Sequence, residues 1–217
     1  NGATDATYRS NAHTPIMQFS IRKATPDDAK TLADLIVELA TYEQLMDEAE
    51  PSAHRLREHL QEDAQPRCEA LLAETDDGTA VGFALFYRHY STFLTNFGLY
   101  LEDLFVRPTY RGEGIGFALL QQVATIAEER NCRRLDWAVL DWNEPAIDFY
   151  HEIGAESMTD WTMMRLDEDQ IEEVARAESI GEVSVQADDA SGDSAAGPSR
   201  NRPGPAASPD AFTNGEA

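Results

Sequence analysis

Apolar and polar positions along this chain alternate between periods of two and 3.6 until about residue 177, where the pattern stops. Gln18 to Ala24 alternates and predicts a first strand. Thr25-Pro26-Asp27-Asp28 reads as a helix start, with Thr25 as N-cap, Pro26 at the first helical position and acids in the first turn. Leu32, Leu35, Ile36, Leu39 and Tyr42 form one apolar stripe, so this helix is expected to run through Glu43 to Glu50, where Pro51 breaks it. Ser52 to Leu60 predicts a second, shorter helix. Arg67 to Glu74 and Thr79 to His89 read as paired strands around the turn Asp76-Asp77-Gly78, followed by a loop over residues 90–98. Leu99 to Val106 is rich in strand-favouring residues and is closed by Pro108. A helix with Leu119, Leu120, Val123, Ile126 and Ala127 on one face then follows a glycine-rich turn.

Arg134 to Leu140 predicts another strand, and Asn143 caps a helix from Ala146 to Ile153 that ends at Gly154. Ala155 to Leu166 is expected to form one or two last strands, and Asp167 to Ala177 an acidic helical extension. The order β-α-α-β-β-β-α-β-α-β predicts an α/β fold of α+β type, a mixed sheet with helices on its faces. Residues 1–16 read as a polar leader, 17–167 as the folded domain, and 168–217 as an acidic tail rich in Ser, Ala, Gly and Pro and expected to be disordered.

Composition changes this picture in one respect. The 217 residues carry 40 acids against 17 basic residues, a net charge of −23, and the only lysines are Lys23 and Lys30. Such a surface lacks the basic footprint of a nucleic-acid binder. It suits a halophilic, salt-adapted protein, in which dissolved ions screen the self-repulsion. Cys68 and Cys132 read as reduced, buried thiols. The five histidines form no metal-ligand cluster, no apolar run is long enough to span a bilayer, and no signal segment is visible; a cytoplasmic location, with no membrane partner, is the expectation.

The candidate chemistry centres on Arg111-Gly112-Glu113-Gly114-Ile115-Gly116. Glycines at a strand-to-helix junction let backbone N–H groups approach an anion, and the helix N-terminus favours negative charge. The guest expected from the residues alone is a phosphate group. A Walker loop would need Gly-Lys-Ser/Thr, and Gly116-Phe117-Ala118 supplies neither residue. A dinucleotide fingerprint would follow the first strand of a βαβ unit, whereas this turn comes late, after a hairpin.

Arg111-x-x-Gly114-x-Gly116 resembles the acetyl-CoA pyrophosphate loop of the GNAT acetyltransferases, and Asn143-Glu-Pro-Ala-Ile-Asp-Phe-Tyr150 resembles a second segment of that superfamily. Within it, Tyr100-Leu-Glu-Asp-Leu-Phe-Val106, Tyr110 to Gly116, Trp142 to Tyr150 and Glu38-Leu-Ala-Thr-Tyr-Glu43 resemble the diamine (spermidine/spermine) and thialysine acetyltransferases. The resemblance spans residues 17–166. It implies a mostly antiparallel twisted sheet splayed at its central strand, and direct attack of a neutral amine on acetyl-CoA in a ternary complex. It also implies a homodimer and no metal.

The resemblance assigns roles as well. The backbone of Phe105 and Val106 would bind the pantetheine arm, and that of Arg111, Gly112, Glu113, Gly114, Ile115 and Gly116 the pyrophosphate. Asn143 would cap its helix and touch CoA. Tyr150 would protonate the departing thiolate. Glu102 would take the amine's proton, directly or through water, with Asp103 and Glu43 holding the cationic substrate. Strand alternation lets only one of Glu102 and Asp103 face the amine. Ser91, Phe93 and Trp161 complete the expected substrate residues. Diamine-specific members carry Asp-Pro-Trp where this chain has Ser91-Thr92-Phe93; the loss of that acid favours an amino acid with a side-chain amine, such as thialysine or a lysine analogue. A peptide or protein N-acetyltransferase and a non-catalytic acetyl-CoA sensor are the alternatives.

Overall fold

The computed structural model describes residues 18–61 and 66–177. The predicted leader and most of the predicted tail lie outside them. Two units are distinguished, one ending at Glu156 and one beginning at Ser157.

In the first unit, β1 (Phe19–Lys23), β2 (Glu69–Thr75), β3 (Ala80–Ser91), β4 (Asn96–Val106) and β5 (Leu135–Trp137) form one sheet in sequence order. The first four are antiparallel neighbours, and β5 runs parallel to β4. The helices are α1 (Ala29–Glu43), α2 (Ala53–His59), α3 (Ile115–Glu129) and α4 (Glu144–Glu152).

Two apolar layers sandwich the sheet. On one face Leu71, Val81, Phe86, Leu99 and Leu101 pack with Ile115, Leu119 and Val123 of α3. On the other, Leu72, Phe83, Leu85 and Phe105 pack with Leu32, Leu35 and Leu39 of α1. Each fully buried leucine or phenylalanine contributes about 2 kcal/mol of transfer free energy. The helical periodicity thus translates directly into the stripes that cover the sheet.

The local signals act as their chemistry requires. Asp28 accepts from the Thr25 N–H at 2.7 Å, and the segment Pro26–Asp28 makes a 3-10 turn leading into α1. Ser52 Oγ accepts from the Arg55 N–H and caps α2. At the β2–β3 hairpin Gly78 takes φ +80°, a conformation a Cβ would strain.

Four expectations are corrected. Helix α1 ends at Glu43, not at Glu50, because Gln44 adopts a left-handed conformation (φ 61°) and closes the helix through bonds to Ala40 and Thr41 carbonyls. The predicted 90–98 loop is a tight turn, since β3 continues to Ser91 and β4 begins at Asn96. Strand β5 covers three residues rather than seven, as its register with β4 stops at Leu101↔Trp137. Residues 155–166 form no strand. In the second unit Met158, Trp161, Met163 and Met164 are exposed, so the apolar pattern there reflects side chains that no sheet pairing uses. Helix α5 (Glu168–Arg176) follows, started by a capping box in which Gln170 accepts from the Asp167 N–H at 3.1 Å. No helix among the described residues is long and apolar enough to cross a membrane.

Candidate active site

The end of β4 does not pair with β5. Their register covers only Leu99–Leu101 with Leu135–Trp137, so residues 102–106 separate from that neighbour while 103–106 stay paired to β3. The gap opens into a cavity of about 410 Å³. Leu104, Phe105 and Val106 line it from β4, Leu39, Tyr42 and Glu43 from the end of α1, and Asn143, Ala146, Phe149 and Tyr150 from α4 and its lead-in. Backbone polar groups of β4 that lack a β5 partner are available to an extended guest.

The glycine turn forms one end of the cavity, with Arg111, Gly112, Gly114, Ile115 and Gly116 in its wall. Gly112 (φ +83°) and Gly114 (φ +82°) both take left-handed conformations, and a Cβ built on either meets nothing within 4 Å. The demand is therefore conformational, and the space beside them is open to a ligand. The Arg111 N–H is spent on the Pro108 carbonyl at 3.3 Å. Among the described residues the N–H groups of 112–117 make no backbone hydrogen bond. They leave a cluster of unsatisfied donors at the positive end of α3, a fitting cradle for a pyrophosphate. Glu113 is exposed and its side chain does not line the cavity.

The Arg111 side chain has a separate task. Its Nε donates to the Val106 carbonyl at 2.9 Å, and its guanidinium lies 4.2 Å from the centre of the Tyr42 ring. Tyr42 in turn meets Trp142 at 6.0 Å. This stack ties α1, the glycine turn and the lead-in to α4 together. Asn143 starts α4 through its carbonyl, which accepts from Ala146 at 3.0 Å and Ile147 at 3.1 Å. Its side chain makes no capping bond, so the amide in the cavity wall is not committed to the helix.

Acidic groups gather beside the splay. Between Leu85/Asp103 and Phe86/Leu101 the β3–β4 register slips, leaving Glu102 as an extra residue, a β-bulge. Burial, then Glu102 and Glu43, push the Asp103 carboxyl up to about 7. Burial also raises the Glu43 carboxyl. The Tyr150 hydroxyl is pushed up to about 12 by burial and then by Glu43, which keeps it protonated at neutral pH. Glu102 is exposed and lies against the Tyr87 hydroxyl, itself held at about 12 by burial and then by that carboxylate. Because of the bulge, Glu102 and Asp103 do not simply alternate between faces; they are close enough to act on each other. Tyr150 packs against Trp137 with ring centres 4.9 Å apart, and both it and Phe149 line the cavity. The cavity wall thus does not choose between those two adjacent aromatics.

A family profile described as Acetyltransferase (GNAT) family matches residues 36–155. The chain belongs to the GNAT acetyltransferase family. It is an enzyme of acetyl transfer. Curated relatives include the thialysine N-epsilon-acetyltransferase of Bos taurus, 38% identical in an alignment 164 positions long that covers 71% of this chain and 96% of the relative. A second is the L-ornithine N5-acetyltransferase of Arabidopsis thaliana, 39% identical over 99 residues, 46% of this chain and 43% of that one. Among solved structures, an integron cassette protein from the mobile metagenome of V. cholerae superposes with a TM-score of 0.61 at 28% identity, covering 74% of this chain and 99% of its own. GNAT acetyltransferases use acetyl-CoA. The splayed strand and the donor cluster at α3 fit its pantetheine arm and pyrophosphate.

The cavity therefore brings together Glu43, Phe105, Val106, Arg111, Gly112, Gly114, Ile115, Gly116, Asn143 and Tyr150 in one wall. Glu102 and Asp103 do not line it; Asp103 lies near enough to both Glu43 and Glu102 for their charges to raise its carboxyl. Ser91 is buried, and its hydroxyl accepts from the Leu94 N–H at 3.3 Å within the hairpin; it does not line the cavity. Phe93, at the tip of that hairpin, is 85% exposed. Trp161 belongs to the second unit. Tyr42, Leu104 and Phe149 are wall residues that sequence reasoning assigned no role. For Tyr42, its place beside Glu43 at the end of an apolar stripe was the available signal.

Proposed function

We propose that this enzyme transfers the acetyl group of acetyl-CoA to a small amine, a thialysine- or lysine-like amino acid or a di- or polyamine, by direct attack in a ternary complex. The observation that carries this reading is the acidic group of Glu43 in the cavity wall with Asp103 and Glu102 on the strand at the start of the splay. Carboxylates attract a cationic amine, and Glu102 accepts the proton that must leave before its nitrogen can attack. A free N–H of β4 at the splay polarises the thioester carbonyl. Tyr150, protonated and in the cavity wall, gives its proton to the CoA sulfur as the C–S bond breaks, while the new C–N bond carries the acetyl group. Relatives that acetylate thialysine and ornithine support the same substrate class.

The test is release of CoA thiol with thialysine, lysine, ornithine, putrescine, spermidine and a short peptide. Turnover of the small amines is expected. Turnover of the peptide alone would instead favour a protein acetyltransferase, and tight acetyl-CoA binding without turnover a sensor. The proposal extends to a homodimer in the cytoplasm with a salt-adapted surface. Its support is the acidic balance of the whole chain and the outer edge of β5, which has no strand partner among the described residues. Sedimentation at micromolar concentration would show a monomer if the dimer is wrong.

A further inference from the structure

Ser91 is buried and turned into the hairpin, away from any substrate. Yet the sheet face that carries Glu102 continues past it with a second charged cluster. Tyr87 pairs with Tyr100 and Tyr100 with Asp136, so these three stand in one row across β3, β4 and β5. The rings of Tyr87 and Tyr100 lie 5.4 Å apart. Burial first, then the nearby Glu102 and Asp136 carboxylates, raise the Tyr100 hydroxyl.

Asp136 is held from two sides. His89 Nε2 lies 3.0 Å from its Oδ2, and Arg134 Nε lies 2.7 Å from the same oxygen. His89 reaches across β4 only because its partner there is Gly98; a Cβ on Gly98 would sit 2.6 Å from Nε2. The ring is steadied edge-on against Tyr100, with centres 6.1 Å apart. Nε2 is buried against the Asp136 carboxylate, close to it but outside hydrogen-bond geometry, so His89 bounds the carboxylate on one side and does not itself meet a ligand. The side chains of Asp136 and Arg134 are 37% and 41% exposed. An anion and a cation are thereby offered side by side. Asp136 pairs with Tyr100 on the neighbouring strand, so Glu102 lies two residues along and one strand across from it, about 8 Å. That is the reach of a side chain the length of lysine's.

We propose that Asp136 and Arg134, positioned by His89, form a distal subsite for the zwitterionic head of an ω-amino acid, whose side-chain amine is thereby presented to Glu102. Asp136 takes the α-ammonium and Arg134 the α-carboxylate. A diamine satisfies only the first of these. The inference rests on Glu102 marking the amine end of the site.

The experiment compares lysine with cadaverine and ornithine with putrescine, each pair differing only in the carboxylate. Wild type is expected to show kcat/KM at least tenfold higher for the amino acid. Arg134→Gln should lower that advantage at least tenfold, through KM, and Arg134→Lys should restore part of it. Asp136→Asn should raise KM for both members of each pair. Acetyl-CoA affinity, measured in every variant, checks that the fold is intact. A wild-type preference for the diamines, or an advantage unchanged in Arg134→Gln, overturns the subsite while leaving amine acetylation standing. No thiol release with any amine overturns both.

Discussion

Asp103 provides the most quantitative test of the acidic site. Its carboxyl is held at about 7 instead of the usual 3.8, by burial first and then by Glu102 and Glu43. In the unfolded chain the same group ionises normally. Below pH 3.8 both states are protonated and Asp103 does not affect stability. Between 3.8 and 7 the folded state keeps a proton that the unfolded state has lost, so stability falls as pH rises. Above 7 both are ionised and the full penalty remains, about 4 kcal/mol at roughly 1.4 kcal/mol per tenfold change. Asp103→Asn keeps the shape and removes the charge. It should be near neutral at pH 4 and stabilising by up to about 4 kcal/mol at pH 8, a rise in Tm of roughly 10 °C for a domain of this size. Thermal unfolding of the two proteins from pH 4 to 8 measures the difference. A stability gap that stays constant across that range would refute the argument, because it would mean that Asp103 titrates alike in both states. Turnover should fall in the same variant, as the group is retained at the cost of stability.

Three other expectations follow from the site and the surface. Tyr150→Phe should lower kcat about a hundredfold with acetyl-CoA affinity unchanged, as measured by thiol release and calorimetry; wild-type turnover would remove Tyr150 as the proton donor. Gly114→Ala, at φ +82°, should cost about 1–2 kcal/mol of backbone strain and weaken CoA binding about tenfold, whereas an unchanged Kd would mean the turn does not hold the pyrophosphate. Raising KCl from about 0.1 M to 2 M, which shortens the screening length from about 10 Å to under 3 Å, should raise Tm; a fall would count against a salt-adapted surface.

Much of the fold was legible because its signals are local and mutually consistent. The Leu32–Leu39 stripe, the Asp77-Gly78 turn and the glycine loop each carry a period or a backbone demand that few structures satisfy. The errors lie where tertiary context overrides such signals. Gln44 ends α1 in a left-handed conformation without the glycine that usually marks it. This places Glu43 in the last turn, at the cavity. Residues 134–140 are apolar enough for a strand, but pairing stops where β4 separates. Ser91 read as a loop residue near the substrate, yet β3 runs to it and buries it. The subsite proposed around Asp136 had no sequence signal, since His89, Gly98 and Asp136 come from three different strands and Arg134 lies just before the last of them.

The bulge at Glu102 explains why one strand can carry both the core and the chemistry. Leu99 and Leu101 face α3, and so do Leu104 and Val106. Phe105 faces α1. Strict alternation would put Leu101, Asp103 and Phe105 on one side, which forces either a carboxylate into the α3 layer or Leu101 out of it. One inserted residue resolves the conflict. Leu101 stays in the α3 layer, and Asp103 joins Phe105 on the side of Glu43. The pairing with β5 also ends at Leu101, so the register slip and the splay occur at the same point of the strand. The bulge thus positions the acids and lies at the start of the gap in the sheet. A substitution that removed it would have to disturb the core and the cavity together, which is why the geometry of the acidic group cannot be tuned independently of the strand that lines the cavity.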